Sequence, residues 1–318
     1  MSLLMNVWMK ALIKMCMRVS STLRWVTGAA LLLALPAAIT NALAAERMPV
    51  VASFSILADM VDNVGGEHVE VTPLIGPDSD AHSYSPSPGD VRKLAHAELV
   101  VFNGLRFEGW MERLLDTSGY KGALITATEG ITPLAHEGHE HGDRGTADPH
   151  AWQDMTRART YVANIRDGLI AADSDHAADY RANAKRYLGK LADADADIRQ
   201  QLSDVPADTA IITGHDSFSY FAAAYDLRFL APEGLSTATA PSAARMAGLV
   251  DTIRDQHVQA LFHENMTSPV AVTQLAEETG LPIAGTLYAD ALASEGEAAS
   301  YIGMMRHNAR VLHQALAP

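Results

Sequence analysis

The sequence predicts an α/β protein of two lobes, each a parallel β-sheet flanked by helices, joined by one long helix. Three observations predict it. Short β-rich runs alternate with segments of helical period, the alternation occurs as two separate series, and an unbroken amphipathic stripe lies between them. With 318 residues, 48% of them hydrophobic, the chain has enough apolar material for two cores.

In the first series, residues 49–53, 69–74, 99–103 and 123–126 read as buried strands, each followed by a segment that suits a helix. The second series begins at Thr209, with strands at 210–213, 260–263 and 283–287. Between them Tyr180, Ala184, Tyr187, Leu191, Ala194, Ile198 and Leu202 recur every three or four residues among Asp, Arg and Lys. One helix over residues 177–202 fits, roughly 40 Å long at about 1.5 Å per residue, a rigid strut rather than a flexible linker. The expected division is a leader at 1–44, an N-terminal lobe at 45–175, the linking helix at 176–204 and a C-terminal lobe at 205–318.

The leader is read from Lys10, Lys14, Arg18 and Arg24, an uncharged run centred on Leu31, Leu32 and Leu33, and the small-x-small pattern Ala42-Leu43-Ala44. This is a secretory signal, and it places the mature protein in the periplasm. A retained membrane anchor is the competing reading, opposed by a short apolar core that contains Pro36. Cys16, the only cysteine, lies inside the leader, so the mature chain has no disulfide and no Cys-based metal site. The net charge of −14 becomes more negative once the basic leader is removed, which disfavours nucleic acid and anionic lipid as partners.

Three of the thirteen histidines sit after predicted strands or in the loops that follow: His82 in Asp80-Ala81-His82, His150 in Asp148-Pro149-His150, and His215 in Thr213-Gly214-His215. Asp290 follows the strand at 283–287. Carboxyl ends of parallel strands line the crevice where ligands bind, and neutral imidazole is the commonest protein ligand for zinc, so these four form a candidate metal site. A second, polar loop at 136–143 carries His136, His139 and His141 and suits transient metal capture. It is not the HExxH of zinc peptidases, because Glu140 stands where the second His would be. Asp80, Asp148, Asp216 and Glu264 are candidates to orient the rings, although Asp148 before Pro149 also suits a turn and Asp216 a helix cap.

The run 51–110, with Ser53-Phe54-Ser55-Ile56-Leu57-Ala58-Asp59 and Val101-Phe102-Asn103-Gly104, resembles the metal-binding receptors of bacterial ABC importers, the ZnuA and TroA group. Asp148-Pro149-His150-Ala151-Trp152, His215-Asp216-Ser217-Phe218, Glu264-Asn265-Met266 and Leu287-Tyr288-Ala289-Asp290 continue the likeness over the mature chain. The resemblance implies two lobes on one long helix with the metal between them, held by His82, His150, His215 and Asp290. Manganese receptors of the group often have Glu at the place of His215; ZnuA-type zinc receptors often lack the final Asp but carry a His-rich loop. This chain combines His215, the Asp and the loop, and so looks most like the AztC-type zinc receptors. The expectation is a monomeric zinc receptor (Zn2+, with Mn2+ as the alternative) that serves an inner-membrane permease and takes its ion freely or from a periplasmic metallochaperone. It is no enzyme: protein donors fill all four positions, leaving no place for an activated water, which disfavours a zinc-dependent hydrolase.

Processing after Ala44 is the first testable outcome. The intact mass of the exported protein should begin at Ala45; a membrane-bound product that retains the leader contradicts it.

Overall fold

The computed structural model describes residues 47–135, 146–256 and 258–318. The leader, the histidines of the 136–143 loop and His257 lie outside the described residues.

The first half runs β1 (Met48–Phe54), α1 (Ser55–Gly65), β2 (Val69–Ile75), α2 (Pro88–His96), β3 (Leu99–Phe102), α3 (Met111–Ser118) and β4 (Ala123–Thr126). Two helices follow, α4 (Met155–Ala172) and α5 (Ala177–Gln201). The second half runs β5 (Thr209–Ile212), α6 (Ser219–Tyr225), β6 (Leu227–Leu230), α7 (Ala243–Asp255), β7 (Ala260–Glu264), α8 (Val270–Thr279), β8 (Ile283–Leu287) and α9 (Tyr301–Leu316).

Each half builds one parallel four-stranded sheet, ordered β2-β1-β3-β4 and β6-β5-β7-β8. The two orders are the same pattern. In each, successive connections leave the first strand in opposite directions, opening a crevice at the carboxyl ends of β1 and β3 and of β5 and β7. The inner strands are apolar on both faces, as burial under helices on both sides demands: Val50, Val51, Ala52 and Phe54 of β1 and Leu99, Val100 and Val101 of β3 are all buried.

Strand β6 has no counterpart in the sequence reading. Leu227-Arg228-Phe229-Leu230 is four residues long, carries an arginine and lies at a sheet edge one residue after α6, so it merges into the preceding helical pattern. Asp226, at φ 57°, makes the left-handed turn that separates them.

The stripe on α5 faces inward, with Tyr180, Ala184, Tyr187, Leu191, Ala194 and Ile198 buried. This helix packs on α4 and α1 on one side and on α9 on the other, so it backs both halves. Asp59 of α1 ties the three together: its carboxylate accepts the Tyr187 hydroxyl at 3.2 Å and the Tyr301 amide at 3.1 Å. One apolar cluster runs through both halves, and a smaller one lies beneath α7 and α8. Polar bonds between halves complete the joint. The Trp152 indole and the Gln153 amide both donate to the Ala289 carbonyl, at 2.9 and 2.8 Å. The Tyr220 hydroxyl donates to the Asp148 carbonyl at 2.8 Å and accepts from the Leu134 amide at 3.0 Å.

Tyr220→Phe removes both of the last two bonds and strands a buried carbonyl, which should cost about 1–3 kcal/mol. Chemical denaturation would show it as a lower midpoint at unchanged slope; an unchanged midpoint would mean the bonds contribute nothing net.

Candidate metal centre

His82 lies in the loop after β2, His150 in the loop after β4, His215 just after β5 and Asp290 just after β8. The four come from four loops that follow strands, two in each sheet, and one donor atom of each lies within 4.8 Å of all the others. His82 Nε2 is 3.3 Å from His150 Nε2 and 3.1 Å from Asp290 Oδ2, while His215 Nε2 is 3.0 Å from that same oxygen. Two donors about 2.0–2.1 Å from one ion at the tetrahedral angle lie roughly 3.3–3.4 Å apart, so this spacing surrounds a point that a small divalent ion fits. His150, His215 and Asp290 have no exposure to solvent. Asp290 Oδ1 is buried without a hydrogen-bond donor, 3.8 Å from His150 Nε2. A buried carboxylate oxygen in that state calls for a cation.

Carboxylates fix the rings from behind. Asp148 Oδ1 accepts from the His150 amide at 2.9 Å and lies 2.8 Å from its Nδ1, which turns Nε2 into the centre. Glu264, the last residue of β7, does the same for His215: Oε1 accepts the Gly214 and His215 amides at 2.9 and 3.0 Å, and Oε2 lies 2.5 Å from Nδ1. Gly214 permits this approach, since a Cβ there would lie 2.7 Å from Thr267 Oγ1. Asp80 holds the loop rather than the ring, accepting the His82 amide at 2.9 Å, the Ser83 hydroxyl at 2.6 Å and the Thr237 hydroxyl at 2.7 Å. Asp216 accepts from the Ser219 hydroxyl at 3.3 Å, in the first turn of α6.

Electrostatics separate the four donors. Burial holds His82 below the ordinary imidazole range. Burial acts the same way on His215, but the Glu264 and Asp290 carboxylates outweigh it and hold that ring well above its usual value. Asp290 is the reverse case: burial would raise it, yet His215 and His150 keep it well below the normal carboxylate range. The His215 ring and the carboxylates beside it thus favour each other's charged forms, and a divalent ion at the same place would compete with that proton.

Aromatic rings line the centre, a feature the sequence reading missed. Phe107 stands edge-on to His82 with ring centroids 4.8 Å apart, and Trp152 edge-on to His150 at 5.3 Å. Trp152 stands within a quoted motif, but Phe107 carries no polar atom and follows no strand end directly, so nothing in the residue types marks it. Among the other described histidines, His68 bonds to Asp179 and stacks on His176, His307 bonds to the Thr286 carbonyl and His313 to Asp204.

The sequence profile of the periplasmic zinc-uptake complex component A proteins, ZnuA, matches residues 50–315. The chain belongs to the ZnuA family. Within it, manganese-binding lipoprotein MntA of Bacillus subtilis is 34% identical over 278 residues, 85% of this chain and 90% of that protein. Iron-binding protein YfeA of Yersinia pestis is 33% identical over 266 residues, 82% and 84% of the respective chains. Among solved structures, the periplasmic zinc binding protein TroA from Treponema pallidum aligns at TM-score 0.80 and 28% identity, covering 86% of this chain and all of that one. As a ZnuA-family protein this chain is a metal-binding substrate receptor of an ABC importer, not an enzyme. No helix of the described residues is long and apolar enough to cross a membrane.

Because the Glu264 and Asp290 carboxylates hold the His215 ring well above its usual value, metal binding should release protons and strengthen as pH rises. Glu264→Gln should weaken binding about 10–100-fold and reduce the release, since the carboxylate that orients the ring also holds its proton. Titration calorimetry in buffers of different ionisation enthalpy measures both. Binding enthalpies independent of buffer contradict the charge balance described.

Proposed function

We propose that this chain is a periplasmic zinc receptor that captures Zn2+ at His82, His150, His215 and Asp290 and delivers it to an inner-membrane ABC permease. The observation that carries the reading is the donor set. Three imidazole nitrogens and one carboxylate oxygen meet around a single point, two of the rings anchored by buried carboxylates. Zinc accepts four donors of this borderline character in tetrahedral geometry, whereas manganese favours more oxygen donors and a higher coordination number. Together with the His-rich segment at 136–143, the same set is our reason for placing the chain near the AztC-type receptors. His136, His139 and His141 would offer further imidazole donors shortly before His150 in sequence, where an ion from solution or from a periplasmic metallochaperone can be held first.

Manganese is the second reading, and one observation favours it. Asp290 Oδ1 is without a donor and turned to the same centre as Oδ2, so the carboxylate can bind through both oxygens and supply a fifth donor. The relatives named for manganese and iron agree with that chemistry. We further propose that the protein acts as a monomer after removal of its leader, with lobes divided near residues 175 and 205.

Replacing His82, His150 or His215 by Ala should each weaken zinc binding by more than about 100-fold, beyond what losing an orienting partner costs, without unfolding the protein. Asp290→Ala separates the metals: with zinc as cargo, affinity drops but zinc stays preferred, because three imidazoles remain and water takes the fourth place. With manganese as cargo, loss of the sole anionic donor nearly abolishes binding. Competitive titration of wild type and variant with both ions, beside metal analysis of protein isolated without added metal, decides it. Tighter manganese than zinc binding by the wild type would overturn the zinc assignment and leave the receptor assignment standing.

A further inference from the structure

The turn after β3 holds backbone in a conformation that side chains with a Cβ avoid. Gly104 lies at φ 90°, followed by Leu105 at 52° and Arg106 at 66°. Glycine is required at the first position, where a Cβ would come 2.6 Å from Thr126 Cγ2. Strain of this kind persists only where the surroundings fix it. Here the clamp is Glu108, a fully enclosed carboxylate that accepts the Ser53 hydroxyl at 2.6 Å, the Asn103 amide at 2.7 Å and the Gly104 amide at 3.2 Å. None of these groups is a metal donor.

What the clamped turn delivers is Phe107. Its amide donates to the Gly104 carbonyl at 3.0 Å, and its ring, 2% exposed, is wedged among four others. Centroids lie 4.8 Å from His82, 5.9 Å from His150 and 4.9 Å from both Phe54 and Trp152. Phe107 also borders, with His82 and Pro149, a cavity of about 530 Å³ beside the centre. The other three donors do not line that cavity. Phe107 thus places apolar carbon, which cannot coordinate, against His82 and His150 beside that cavity.

Resting on the zinc reading above, we infer that Phe107 is a specificity-determining residue. By closing the water side of the centre it holds the coordination number at four and so favours zinc over ions that need five or six ligands. Glu108 is a positioning residue that acts through the strained turn. The ring adds to the preference of the donor set, since it denies an ion the fifth and sixth ligands that water would supply.

Cobalt(II) is the probe, because four-coordinate cobalt absorbs visible light strongly and five- or six-coordinate cobalt weakly. Wild type, Phe107→Leu, Phe107→Ala and Glu108→Gln are loaded with Co2+, and their zinc and manganese affinities are measured by chelator competition, with thermal unfolding as a check on folding. The wild type and Phe107→Leu should show intense bands. Phe107→Ala should lose most of that intensity, and its preference for zinc over manganese should fall on the order of tenfold, a size typical of changes beyond the ligands themselves. Glu108→Gln should shift both readouts in the same direction although no ligand is altered. If the alanine variant does not fold, Phe107→Val repeats the test with less volume removed. Intense bands and unchanged preference in a folded alanine or valine variant would overturn the role of Phe107 while leaving zinc as cargo; weak bands already in the wild type would overturn the four-coordinate zinc reading and this role with it.

Discussion

The structure turns on buried negative charge. Asp148, Glu264 and Asp290 are each at most 4% exposed, and each faces an imidazole rather than a lysine or arginine. Carboxylates withdrawn from water require compensation by hydrogen bonds and positive charge. Backbone amides and imidazole protons supply it in the metal-free state, and a divalent ion at the centre of the rings supplies it more completely. The Nε2 atoms of His150 and His215 are therefore aimed at the centre by their carboxylate partners.

The parallel between the sheets explains how a glutamate comes to be at the base of each crevice. Glu108 accepts the amides of Asn103 and Gly104 after β3, together with the Ser53 hydroxyl of β1. Glu264 at the end of β7 accepts the amides of Gly214 and His215 after β5. Strand ends at such a reversal present free amides that bind anions in many α/β proteins. Here the chain fills both places with its own carboxylates. In the second half the carboxylate reaches on to the His215 ring; in the first it secures a turn whose aromatic residue touches the His82 and His150 rings. The linking helix α5 and the bonds from Trp152, Gln153 and Tyr220 then hold the two crevices face to face.

Much of this was legible in the sequence, for reasons that also mark the limit. Inner parallel strands buried on both faces are continuous apolar runs, so β1, β3, β5 and β7 stand out, and α5 shows its buried face as a regular stripe. Histidines in the loops after strands pointed to one cluster because the topology brings the carboxyl ends of parallel strands to the same side. Glu264 was legible as a partner through its position at the end of a strand. Residues whose role depends on three-dimensional packing were not: β6 is an edge strand shorter than the pattern that would reveal it, and Phe107 and Glu108 gain their roles from a left-handed turn that Asn103-Gly104 alone does not specify. Asp216, adjacent to His215 in sequence, accepts instead from Ser219 at the start of α6.

X-ray absorption at the zinc edge of the zinc-loaded protein tests the central claim most directly, because it counts donors and identifies imidazole by its outer-ring scattering. The account predicts four nitrogen or oxygen donors at about 2.0–2.1 Å, three of them imidazole. A shell of five or six mainly oxygen donors, or one with fewer than three imidazoles, would contradict it.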